Sequence, residues 1–203
     1  MEVDTHNATG TKKKILKIAT TLFSEYGYKG TSVRTIATGV GIKQSALYNH
    51  FKNKEEIFLE VSREIFNTPF SIKQDELKQT ALNGKTFINK FAMQYKLLTF
   101  DKANEKMFRL LMIELLQNKT LREQFMSEFH DKNIKYLSEG FFIMMQNSIV
   151  RSGDPMILAY EFISTLFYIR LQVTLLRFDA KSSDMLATQF EKHVDFFWES
   201  IKS

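Results

Sequence analysis

Residues 31–54, TSVRTIATGVGIKQSALYNHFKNK, constrain the fold more than any other stretch of the chain. Val33, Ile36, Ala37 and Val40 recur at i, i+3, i+4 and i+7, which gives a short helix with one apolar face. Gly39 and Gly41 flank Val40, and glycine suits a sharp turn between helices. A second short helix follows, with Leu47, Tyr48 and Phe51 set among Gln44, Ser45, Ala46, Asn49 and His50. So few apolar residues make a weak folding element. Small side chains, however, let a backbone approach a groove, and amides can address base edges. The pattern reads as a helix-turn-helix, and it predicts sequence-specific DNA binding.

Charge is distributed accordingly. Residues 1–54 carry nine Lys/Arg against Glu2, Asp4 and Glu25, a net +6, which leaves −1 of the chain's +5 for the other 149 residues. Basic charge confined to one end is what phosphate contact requires. The chain has no cysteine, which excludes disulfides and thiolate metal sites and fits a cytoplasmic protein. The N-terminus is polar, with no secretory pattern. Glu161, Arg170 and Gln172 interrupt the most apolar segment, Ile157–Leu176, which predicts a buried helix in a soluble protein rather than a membrane span.

Along the chain, the polar residues 1–11 are expected to be disordered. A first helix spans about Lys12–Tyr26, its face formed by Ile15, Ala19, Leu22 and Tyr26, and Gly27 ends it. Asn53 and Glu56 make a capping box for a fourth helix, in which Ile57, Phe58, Val61, Ile65 and Phe66 turn inward before Pro69. This helix is read as the only covalent route between a domain of residues 1–54 and a domain of residues 55–203. Further helices are expected over Lys85–Phe100, Glu105–Gln117, Leu121–Val150 with Thr120 as cap, Pro155–Phe178, and Met185–Ile201. About nine helices result, all-α, with no strand pattern.

The four histidines, His6, His50, His130 and His193, lack metal-ligand spacing, and no nucleophile motif or phosphate-binding loop is present. No catalytic constellation, metal site or cofactor is expected. The C-terminal half is rich in Phe and Met, a composition that serves an ordinary core or an adaptable apolar pocket. Gly140 lies mid-helix and marks either a close helix contact or a kink. Arg170, in the apolar LFYIRLQV segment, must reach water, a carboxylate or an acidic ligand. The Pro155–Phe178 helix is apolar nearly all round, so one side can pack on its own domain and the other on a second copy.

Four landmarks fall in residues 15–58: Ala19, Leu22, Phe23 and Gly27; Thr31 or Ser32 with Ile36, Ala37 and Gly41; Leu47, Tyr48, His50 and Phe51; and Lys54 with Glu56. In combination they resemble the N-terminal domain of the TetR family of bacterial transcriptional regulators. Lys43 stands where the family usually has a capping Ser, and Ser45-Ala46 where it often has Gly followed by Thr or Ser. The resemblance implies a homodimeric repressor, released from a palindromic operator by a small, largely apolar effector. It implies phosphate contacts from Thr31, Ser32, Tyr48, His50 and Lys54. Gln44, Ser45 and Asn49, with Ala46, would face base edges, while Lys43 and Arg34 reach bases or phosphates. It further implies an effector pocket, with Phe91, Tyr95, Phe108, Met112, Phe142, Gln146, Phe167 and Arg170 as candidate lining residues, and dimerisation through the last two helices. The alternatives are a helical small-molecule carrier and a DNA-binding protein without sequence preference.

Overall fold

The computed structural model describes the backbone of residues 5–67 and 74–203, and the side chains of residues 10–63 and 76–203. Ile65, Phe66 and Pro69, expected at the end of the fourth helix, lie outside the described side chains. The fold is all-α. Among the described residues it has eleven α-helices and one π-helical turn rather than nine helices. Two departures account for most of the difference. A helix over Gln74–Leu82 was not anticipated, and the stretch expected as one helix from Leu121 is divided.

The residues form two compact units. The first holds residues up to Phe66 together with Lys106–Gln124. The helices α1 (Thr5–Gly30), α2 (Val33–Val40), α3 (Gln44–Tyr48) and α4 (Lys54–Asn67) enter it, with most of α7 (Lys102–Leu115) and α8 (Lys119–Gln124). This unit is larger than the 1–54 domain read from sequence. The chain passes between units at 66/67, 105/106 and 124/125, so α4 is not the only covalent route.

The helix α1 begins at Thr5, so residues 5–11 are helical rather than a disordered arm. Adding turns to a helix already anchored by buried Ile15 and Leu16 fixes one residue per new hydrogen bond, far cheaper than nucleating one. Its buried face is Ile15, Leu16, Ala19 and Phe23, while Tyr26 faces out. The helical path is broken at Gly27, where φ is 74°. Ser32 caps α2 by accepting from the Thr35 backbone N–H at 3.0 Å. The α2 helix buries Ile36 and Ala37 and ends on Gly41 at φ 80°, a left-handed position where a Cβ would be strained. For α4, Asn53 Oδ1 accepts from the Glu56 N–H at 2.8 Å, and Glu56 reaches back to the N–H of Lys52 at 2.6 Å. The cap of α8 is Asn118, whose Oδ1 accepts from the Leu121 N–H at 3.0 Å, rather than Thr120. Both residue types can cap, and the helix start decides between them.

The second unit holds residues Asn67–Glu105 and Phe125–Ser203. Its helices are α5 (Gln74–Leu82), α6 (Lys85–Phe100), α9 (Lys132–Gln146), α10 (Pro155–Phe178) and α11 (Asp184–Ile201), with the π-helical turn Phe125–Asp131 leading into α9. Within the unit α9 packs against α5 and α10, and α10 also packs on α6 and α11. Phe87, Phe91, Tyr95, Phe141, Phe162 and Phe190 fill the core. Gly140 is a close contact rather than a kink: a Cβ there would sit 2.1 Å from Cζ of Phe87. Asp154 caps α10 through the N–H groups of Met156 and Ile157, with Pro155 in the first turn. The C-terminus is fastened by an isolated antiparallel bridge between Val150 and Lys202.

By length and composition alone α10 would be long and apolar enough to cross a membrane, a test that the core helix of a globular protein also passes. Within the unit, however, Ala159, Phe162, Leu166, Ile169 and Val173 are buried among neighbouring helices. Its other side leaves Ile157, Tyr160, Tyr168, Leu175 and Phe178 exposed, and Met185 and Phe196 of α11 are exposed as well.

Candidate nucleic-acid interface

Two short helices place the candidate DNA-contacting residues. Leu47 of α3 is fully buried and Phe51 nearly so, which anchors the helix from beneath. Its outer surface then carries Lys43, Gln44, Ser45, Tyr48 and Asn49, all exposed, with Ala46 and His50 half-buried. Lys43 occupies the N-cap position and makes no side-chain cap, as its lack of an acceptor dictates. The helix α3 therefore begins with unsatisfied N–H groups, a weak positive pole. Gln44 Nε2 donates to the Tyr48 hydroxyl at 3.3 Å, one turn along the same face. Ser32 and Arg34 at the start of α2 are exposed.

Two of the residues named from sequence are placed differently. Thr31 is 1% exposed, and its hydroxyl lies 2.9 Å from the carbonyl of Gly27 and 3.1 Å from that of Leu22. It closes the end of α1 instead of facing outward. Lys54 is half-buried, and its ammonium donates to the carbonyl oxygens of Tyr28 at 2.8 Å and Thr31 at 3.0 Å. It also lies 4.2 Å from the centroid of the Tyr28 ring. Tyr28 belongs to the last turn of α1 and Thr31 directly follows that helix, the pole a cation stabilises. Burial and the nearby Glu55 and Glu114 carboxylates raise the Tyr28 pKa. Nothing in the local sequence around Lys54 signals this contact, because its partners lie 23 and 26 residues away.

The remaining part of the first unit also holds α4. Gln124 Nε2 donates to the carbonyl of Leu59 at 2.9 Å, and Asn118 Nδ2 to Glu55 at 3.4 Å. Arg122 donates to the carbonyls of Leu115 and Leu116, closing the end of α7.

The eight candidate ligand residues do not converge on one cavity. Phe91, Tyr95 and Arg170 share the core of the second unit. Arg170 is 3% exposed and its guanidinium lies 5.9 Å from the Tyr95 ring centroid, while Glu161 is exposed. Burial pushes the Tyr95 hydroxyl up to about 12 against the opposing pull of Arg170, and burial lowers the Arg170 pKa. Phe108 and Met112 belong to the first unit. Phe142 is half exposed and lines a groove of about 670 Å3 with Leu77, Leu82 and Ile143. Gln146 is exposed. Phe167 lines a smaller cavity of about 210 Å3 beside the π-helical turn. Among the described residues no cluster of three or more metal-ligating side chains occurs.

Comparison with known proteins bears on the same segment. The sequence model described as bacterial regulatory proteins, tetR family, matches residues 15–61. The biofilm operon regulator IcaR of Staphylococcus epidermidis is 48% identical over 56 residues, 28% of this chain and 30% of IcaR. The transcriptional repressor KstR2 of Rhodococcus jostii is 37% identical over 82 residues, 40% of each chain. The chain thus matches these curated relatives over well under half their length. The structure of SmeT of Stenotrophomonas maltophilia, in its complex with triclosan, superposes with a TM-score of 0.73 at 21% identity, covering 96% of this chain and 92% of SmeT. That likeness extends the common fold through both units. Residues 15–61 thus match the N-terminal segment of the tetR family of bacterial regulatory proteins, and the fold of the chain is the one seen in SmeT.

Proposed function

We propose that the protein is a sequence-specific, DNA-binding transcriptional repressor that acts as a homodimer on a palindromic operator and is released by a small-molecule effector. The observation that carries this reading is the outer face of α3, where Gln44, Ser45 and Asn49 stand exposed above the buried anchors Leu47 and Phe51. Amides there suit adenine, Lys43 suits guanine or a phosphate, and Tyr48, His50, Ser32 and Arg34 would fix the register on the backbone. The relatives named above are a regulator and a repressor, and they match this chain in the same N-terminal segment. Residues 55–203 would supply the effector site and the dimer face.

Dimerisation through α10 and α11 is supported by the exposed apolar side of both helices. A twofold dimer would match two half-sites of an operator. The effector's task is modest: loosening the operator about 100-fold takes a coupling of about 2.7 kcal/mol.

Incubating the purified protein with fragmented genomic DNA at about 0.15 M salt, and sequencing what is retained, tests the reading. A few fragments sharing a near-palindrome support it. Unrelated fragments that are lost as salt rises would favour binding without sequence preference.

A further inference from the structure

The segment FMSEFHD, residues 125–131, forms a π-helical turn between α8 and α9. Such turns are rare and occur frequently at functional sites. Here the turn walls a cavity of about 210 Å3 in the second unit, whose lining includes Phe125, Phe129, His130, Tyr160, Ser164 and Phe167. The Phe125 and Phe129 rings are stacked, with centroids 5.3 Å apart and planes at 24°. Phe167 meets Phe125 edge-on at 6.4 Å. The His130 ring lies 5.7 Å from that of Tyr160, and its Nδ1 is 3.0 Å from the Asp131 carboxylate, which leaves Nε2 as the ring's other polar atom.

We propose that this cavity binds a planar aromatic molecule of one substituted ring or two fused rings, carrying one hydrogen-bonding substituent. The proposal deepens the reading of the chain as an effector-responsive regulator and names the class of its effector. Size sets the first limit, since an engineered apolar cavity of about 150 Å3 takes up benzene. Ring geometry sets the second. A box for a quaternary ammonium turns several ring faces toward one point. Phe125 and Phe129 instead face each other, and a flat ring extends such a stack. His130, Tyr160 and Ser164 supply the polar atoms for the substituent.

The position also gives the ligand a path to α4. Gln124, the residue before the turn, holds the Leu59 carbonyl of α4 at 2.9 Å. Reshaping the turn therefore acts on the residue that grips that helix.

The test uses the full chain and 2-naphthol, a fluorescent two-ring phenol, with folding checked by circular dichroism. Wild type should bind it saturably. Ser164→Phe, which fills the cavity from an exposed position, should weaken binding by at least about tenfold. Tyr160→Ala should weaken it as well and decides the matter if Ser164→Phe fails to fold. Leu82→Ala, in the larger groove between α5 and α9, should leave it unchanged. Absence of saturable binding, equal affinity in folded Ser164→Phe and Tyr160→Ala, or loss confined to Leu82→Ala would each overturn the proposal. Selection of genomic fragments without naphthol is scored separately. A chain that selects no motif yet binds naphthol at the turn keeps the site and loses the regulator; a chain that selects a motif but binds no naphthol loses the site alone.

Discussion

Lys54 Nζ lies 2.8 Å from the Tyr28 carbonyl oxygen and 4.2 Å from the centroid of the Tyr28 ring, so one ammonium fastens the start of α4 to the end of α1. The family resemblance gives this lysine a phosphate to bind. In the structure two of its three donors are already engaged within the protein, on Tyr28 and Thr31. The two roles separate experimentally. Lys54→Met should lower the stability of the folded chain by about 1–3 kcal/mol in urea unfolding, since it strips charge-assisted bonds from half-buried carbonyls. A simple phosphate contact would instead leave the unfolding midpoint in place and reduce the salt slope of DNA binding by about one.

Gly140 and Phe87 make a second separable pair. Gly140→Ala puts a methyl group 2.1 Å from Cζ of a buried ring, and overpacking of this kind costs about 1–3 kcal/mol. Phe87→Leu should be destabilising alone, yet it should recover part of the loss in the double variant. The recovery is read as a coupling energy in a double-mutant cycle by chemical denaturation. Additive losses would mean that the ring moves aside freely.

These two relationships mark the limit of what the sequence reveals. The capping pair Asn53 with Glu56 and the turn residue Gly41 were legible, because each acts on backbone within a few residues of itself. The apolar positions of α6, Phe87, Phe91, Tyr95 and Leu98, were legible from helical period alone. Lys54 was not, since a lysine at a helix start has no local feature showing that it turns back to α1. Gly140 was legible as an unusual position but not as a contact, because Phe87 is 53 residues away. Nor does FMSEFHD distinguish a π-helical turn from an α-helical one. The ligand residues named from composition were scattered for the same reason: being aromatic fixes burial, and only packing decides which rings meet.

His193 predicts a pH dependence. It is half-buried, and its Nε2 lies 3.4 Å from the Phe162 carbonyl, with its ring stacked on that of Phe162 at 5.8 Å. Burial lowers its pKa below the ordinary 6.5, a shift that the Phe162 carbonyl opposes. The unfolded chain therefore takes up this proton first as pH falls. The stability His193 contributes as a neutral group is complete above pH 6.5 and lost as pH drops toward its folded value. Unfolding free energy measured between pH 7.5 and 5.5 should decline more steeply in wild type than in His193→Gln. Parallel profiles would contradict the assignment.

Gln124 predicts the coupling between α4 and the π-helical turn. Gln124→Ala removes the bond to the Leu59 carbonyl at some cost in stability, about 1 kcal/mol. Binding of 2-naphthol should stay within about twofold of wild type, because Gln124 does not line the cavity. Release of DNA by naphthol should weaken, read as the shift in DNA affinity with and without saturating ligand. An unchanged shift would mean that coupling runs through another of the chain's crossings between the units.

The central claim is that exposed side chains of α3 read DNA bases. It is tested most directly by comparing affinity for a retained genomic fragment with that for a scrambled copy, at about 0.15 M salt, in wild type and in Gln44→Ala/Asn49→Ala. The account predicts that wild type prefers the true fragment by about a thousandfold or more. It also predicts that the double variant loses most of that preference while binding to the scrambled DNA changes little. A preference that survives both substitutions would place sequence reading elsewhere on the molecule and contradict the orientation proposed for α3.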